Sequence, residues 1–160
     1  PDLFMSRTYA TRGEFGKAMQ YAESAVADNP ADASLRGNLG VMYYRNSYWN
    51  EAVKELQYVV KGGLTENGFP MEVIELVPNS QRIAEYYFTY GLALSRLNQC
   101  GEALQIAQLI ISRVPADELA VENSNAIISR CQENLAQTPI PPLSAPTTDS
   151  AATAEPTPTP

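Results

Sequence analysis

The chain has 160 residues, 44% of them apolar and 18% charged, enough to bury one hydrophobic core. Its 11 basic and 18 acidic residues leave a formal charge of −7 and a pI near 4.6, a balance that opposes non-specific binding to nucleic acid or anionic lipid. Histidine is absent and only two cysteines occur, which removes imidazole-based nucleophile pairs, His-ligated zinc, four-thiolate sites and CxxC pairs, so no cofactor or metal is expected.

The chain opens on Pro1 rather than methionine, which reads as a processed form or a fragment. A helix is predicted to begin at Leu3-Phe4-Met5 without an N-terminal cap, and a second unit half follows through Ala18 and Ala22 to Pro30. Leu39, Met42 and Tyr43 then share one helical face, Ser47-Tyr48 make a turn, and Ala52, Val53, Leu56, Val59 and Val60 form the next apolar face, ended by Gly62-Gly63. Residues 64–81 depart from this pattern. Asn67-Gly68 is a turn signal, and Met71 to Leu76 alternates in part like a short strand. An exposed strand edge favours contact with a partner or another copy over a merely solvated loop.

Helical spacing resumes with Tyr87, Tyr90, Gly91 and Leu94, and again with Ala103, Leu104, Ala107 and Ile110. A last helix over about 118–134 carries Ala120, Val121, Ile127, Ile128 and Cys131 and has no partner after it. Seven of the 12 prolines fall in the last 25 residues, among Thr, Ser and Ala, so residues 136–160 are expected to form an extended or disordered extension. Thr147, Thr148, Thr153, Thr157 and Thr159 are candidate O-glycosylation acceptors there. No run approaches 18 apolar residues, so no membrane insertion is expected.

Three landmarks repeat together. Ser6, Gly40 and Gly91 are 34 and 51 residues apart, as are Ala18, Ala52 and Ala103, while Tyr9 and Tyr43 are separated by 34. The period is therefore 34 with one 17-residue insertion, and each unit reads as two short amphipathic helices, an all-α fold. Gly40 facing Ala52, and Gly91 facing Ala103, would let the paired helices approach closely.

This pattern resembles the tetratricopeptide repeat family, whose motif is W-x₂-L-G-x₂-Y…A-x₃-F…P. The second unit matches as Arg36, Leu39, Gly40, Tyr43, Ala52 and Leu56, and the third as Tyr87, Tyr90, Gly91, Leu94, Ala103, Ala107 and Pro115. The first is poorer, with Met5, Ser6, Tyr9, Ala18, Ala22 and Pro30. The resemblance covers about 1–61 and 82–135. It implies an α-solenoid of three helical hairpins plus a terminal capping helix over 1–135, interrupted by the 64–81 insertion, and a concave groove lined by the first helix of each pair.

Carried over onto this chain, the groove would include Phe4, Arg7, Asn38, Val41, Tyr44, Arg45, Phe88, Thr89, Leu92 and Arg96, suited to a peptide with some negative charge. The alternative places the aromatics in the core between repeats and the arginines in water. The carboxylate clamp of the family's chaperone-binding members is not matched: Asn38 fits, but Leu3, Arg7, Glu85 and Thr89 occupy the other positions, and Glu85 would repel a carboxylate.

Cys100 at the third hairpin turn and Cys131 near the end of the next helix would fall at the same end of adjacent layers, which allows a disulfide. Two buried thiols remain equally open on composition. The Pro/Thr extension favours the oxidising reading, and with it the extracellular space or cell envelope, against the cytoplasm. Glu72/Glu75 is a carboxylate pair, but without His, a metal cluster or a phosphate-binding loop it reads as solvated charge rather than as a catalytic pair. The function expected is non-enzymatic protein–protein interaction. Most specifically, the chain would be a self-associating structural module, a homo-oligomer open to filament formation through its insertion and unfinished ends. The alternative is a monomeric adaptor that holds a peptide of another protein in its groove.

Overall fold

The computed structural model describes residues 1–137 and Pro139; the five candidate glycosylation threonines and nearly all of the 136–160 extension lie outside the described residues. Among the described residues seven helices follow one another: α1 (Asp2–Thr11), α2 (Phe15–Asp28), α3 (Ala33–Arg45), α4 (Trp49–Lys61), α5 (Gln81–Arg96), α6 (Cys100–Arg113) and α7 (Glu118–Gln137). They pack in chain order as pairs α1/α2, α3/α4 and α5/α6, each pair resting on the next, with α7 against both α5 and α6. The all-helical expectation therefore holds, and the last helix runs three residues past its expected end.

Local chemistry sets the boundaries. The Asp32 carboxylate accepts from the Ser34 and Leu35 N–H groups at 2.8 and 3.1 Å and starts α3. The three hairpin turns each place one residue in the left-handed region, Gly13 (φ 75°), Ser47 (φ 65°) and Asn98 (φ 58°), again 34 and 51 residues apart. Ala18, Ala22, Ala52, Ala103 and Ala107 are fully buried and bring the helices close.

The close approach at the two motif glycines differs in its partners from the expectation. A side chain at Gly40 would collide with Leu56 rather than Ala52. At Gly91 it would lie 2.6 Å from Cδ1 of Ile127 on α7 and 3.3 Å from Ile106, not against Ala103. Each glycine thus makes room for a large apolar side chain one turn further along the partner helix or on the next layer. Arg36, standing at the motif's Trp position, is buried. Its Nη1 donates to Glu55 at 2.7 Å and its Nε to the Pro30 carbonyl at 2.8 Å, and it lies over the Tyr58 ring.

Between α4 and α5 the insertion forms a two-residue antiparallel ladder, β1 (Gly63–Leu64) with β2 (Pro70–Met71), Gly63 opposite Met71. The turn lies where Asn67-Gly68 signalled it, with Gly68 at φ 79°. The strand itself is shorter than Met71–Leu76 and earlier: after Met71 the chain leaves the ladder, because Ile74 is drawn onto the end of α4 by its N–H bond to the Val59 carbonyl at 2.9 Å.

Candidate interaction surfaces

Adjacent layers are clasped at the corner of the hairpin turns. Arg45, the last residue of α3, lies 5.7 Å from the ring centre of Phe15, the first residue of α2. Arg96, the last residue of α5, lies 5.2 Å over Trp49, the first residue of α4, and Tyr44 packs against the same indole at 5.0 Å. At the third interface a disulfide joins Cys100, the first residue of α6, to Cys131 of α7, with Cα atoms 5.5 Å apart. Phe15, Trp49 and Cys100 are spaced 34 and 51 residues apart. That spacing was available in the sequence, and sequence reasoning overlooked Phe15 and Trp49 because it followed positions of like size, whereas Phe, Trp and Cys share neither size nor chemistry.

These clasps change the meaning of the groove residues. Arg45 and Arg96 are exposed but stacked on rings at the corner, and Tyr44 is half-buried beside Trp49. Asn38, Val41, Phe88 and Thr89 are buried, at 1%, 3%, 7% and 3% exposure, because neighbouring helices cover the face on which they stand. As freely available groove residues, Asn38, Phe88 and Thr89 are therefore corrected: they are packing between layers. Asn38 Nδ2 donates to the buried Ser6 Oγ at 2.9 Å, joining α3 to α1. Phe4 is 72% exposed, and Arg7 and Leu92 are half-buried. Arg7 Nε and Asn38 Oδ1 are buried without a hydrogen-bond partner.

The outer face of α7 is polar. Glu118, Glu122, Asn125, Ser129, Gln132 and Glu133 are exposed along it, with Leu119 and Leu135 as the apolar exceptions. It thus lacks the broad apolar face on which a further hairpin would stack.

The insertion is anchored inward and apolar outward. Thr65, Met71 and Leu76 are buried, and the Tyr87 hydroxyl donates to the Ile74 carbonyl at 2.8 Å. Burial raises the Tyr87 pKa above its ordinary value. Leu64, Phe69, Val73 and Val77 point to solvent, at 70%, 37%, 45% and 40% exposure. Glu66 pairs with Lys54 at 2.6 Å, while Glu72 and Glu75 are exposed and make no ion pair among the described residues. Among the described residues, no helix is long and apolar enough to cross a membrane.

Neither a comparison with protein-family models nor one with curated proteins gave a match.

Proposed function

We propose that this chain is a non-enzymatic protein–protein interaction scaffold. In this reading it is an α-solenoid of the tetratricopeptide type carrying a Pro/Thr-rich extension, and it works in the extracellular space or the cell envelope. The repeated corner clasp supports the solenoid, since one contact recurs at 34 and 51 residues through successive layers. The Cys100–Cys131 disulfide supports the oxidising compartment.

One observation carries the choice of contact surface. The insertion is fixed to α4 and α5 through Ile74, yet keeps Leu64, Phe69, Val73 and Val77 outward. Side chains held rigidly in water lose little entropy on meeting a partner, which is what favours an interface. A second reading is self-association through the first layer, favoured by Phe4. Its counterparts one and two units on, Asn38 and Thr89, are covered by a preceding layer, whereas Phe4 is exposed.

The test places a photo-crosslinking amino acid at Val73, Phe4 or Tyr44 in the full chain within its native envelope or extracellular fraction. Discrete hetero-adducts from Val73 are expected. Adducts confined to Tyr44 would return the function to the groove. Self-adducts from Phe4, with mass rising with concentration in light scattering, would make self-association the primary reading.

A further inference from the structure

Beyond β2 the chain runs on as Glu72–Val77, a stretch with neither helix nor ladder partner. Only Ile74 and Leu76 are tied inward: Ile74 by the bonds to Val59 and Tyr87, Leu76 by burial and by its backbone beside the Tyr87 hydroxyl. The N–H groups of Glu72, Val73, Glu75 and Val77 donate to no acceptor among the described residues, and all four residues are exposed. A cleft of about 470 Å³ follows one side of the stretch, between Ala31–Ser34 and Pro70–Ile74. A smaller one of about 170 Å³ continues it from Val73 past Leu76 to Arg113. Unpaired peptide groups beside a trough are the geometry that accepts an added strand.

The charge of this edge selects the occupant. Residues 62–81 contain Glu66, Glu72 and Glu75 and no Lys or Arg. Glu66 is neutralised by Lys54, and the Asp32 carboxylate beside Glu72 caps α3, which leaves Glu72 and Glu75 as the unpaired charges. Among the described residues lining the two clefts, Arg113 alone is basic; it lines the smaller cleft, as Glu75 does, and makes no ion pair with it. A second copy of the chain would bring two more glutamates to this edge and is the poorer occupant.

We propose that Glu72–Val77 is a strand-addition edge that captures an extended, lysine- or arginine-bearing segment of a partner protein. The partner's β-branched side chains lie against Val73 and Val77 with a basic side chain between them against Glu75, all on one face of the stretch, and Glu72 on the opposite face adds negative charge beside it. The proposal rests on the insertion being the contact face.

The experiment uses the full chain and three acetylated octapeptides: a Lys–Val peptide repeating Val-Thr-Lys-Thr, which sets Val and Lys by turns on one face, a Glu–Val peptide with Glu for each Lys, and the Lys–Val peptide N-methylated along one backbone edge. Calorimetry measures binding, and amide exchange locates it. The Lys–Val peptide is expected to bind and to slow exchange at the Glu72–Val77 amides, and the N-methylated peptide to lose that binding. Glu72→Lys with Glu75→Lys is expected to weaken the Lys–Val peptide roughly tenfold and to admit the Glu–Val peptide.

Equal binding of the N-methylated peptide, with protection still in the insertion, would overturn strand addition and leave the contact face standing. Protection on α1, α3 and α5 instead would overturn both. No binding of the Lys–Val peptide, or protection of Glu72–Val77 that grows with protein concentration alone, would overturn the basic hetero-partner.

Discussion

The two edges of the helical stack are closed in opposite ways. At the hairpin-turn corner each layer is fastened to the next by one side-chain pair, Arg45 on Phe15, Arg96 on Trp49 and Cys131 to Cys100. At the other edge the layers are joined by the segments 29–32, 62–80 and 114–117, and the longest of these holds open clefts, exposed valines and unpaired glutamates. The contrast teaches that position and chemistry are separable. The stack dictates where a clasp must sit, and two cation–π contacts and a covalent bond all satisfy that place.

Removing the covalent clasp tests that reading most severely. Cys100→Ser with Cys131→Ser opens a link between residues 31 apart, and releasing a loop of that size costs about 3–4 kcal/mol on the chain-entropy argument. Thermal unfolding is expected to move down by roughly 10 °C, with α7 amides exchanging ahead of those in α5. An unchanged melting temperature would mean that the packing of Ile127 against Gly91 holds α7 without help, and the corner would lose its importance.

Most of the helical architecture was legible because it rests on local signals: small residues at a fixed period, turn residues at 47–48, and Gly62-Gly63 after α4. The partners of Gly40 and Gly91 were not legible, since a helix face is set by rotation and a one-turn change moves the contact from Ala52 to Leu56. The groove failed for a related reason. Asn38, Phe88 and Thr89 stand at positions that face inward to the stack as well as along the groove, and only the placement of the neighbouring layers shows that they are covered. The insertion's ladder was short because Tyr87 and Val59, distant in sequence, pull Ile74 out of register. No local pattern encodes those partners.

Alkaline pH sharpens the comparison at the anchor of the open edge. Burial raises the pKa values of Tyr86, Tyr87 and Tyr90 above the ordinary tyrosine value, and Tyr90 is raised further by its hydrogen bond to Glu102 at 2.7 Å. Above about pH 10 the unfolded chain releases these protons while the folded chain retains them. Stability is therefore full below that pH and falls above it, each buried tyrosine adding up to about 1.4 kcal/mol per pH unit to the slope. Chemical denaturation between pH 8 and 11 should show the fall, and Tyr90→Phe and Tyr87→Phe should each flatten it. An unaltered slope in Tyr87→Phe would mean that the insertion is not held through this hydroxyl.

The smallest effects separate the edges most cleanly. Arg96→Ala removes the charge over Trp49 and should cost about 1 kcal/mol, whereas Arg96→Lys should recover part of it, since an ammonium over an indole retains the attraction without the planar stacking. Glu72→Lys with Glu75→Lys, on exposed side chains with no ion pair among the described residues, should leave stability within about 0.5 kcal/mol. Urea midpoints at constant slope measure both. If the two variants lost equal stability, the open edge would be part of the scaffold's framework rather than its recognition surface. If only Arg96→Ala did, charge can be reversed at the open edge without disturbing the stack that presents it, which is the property the proposed binding role requires.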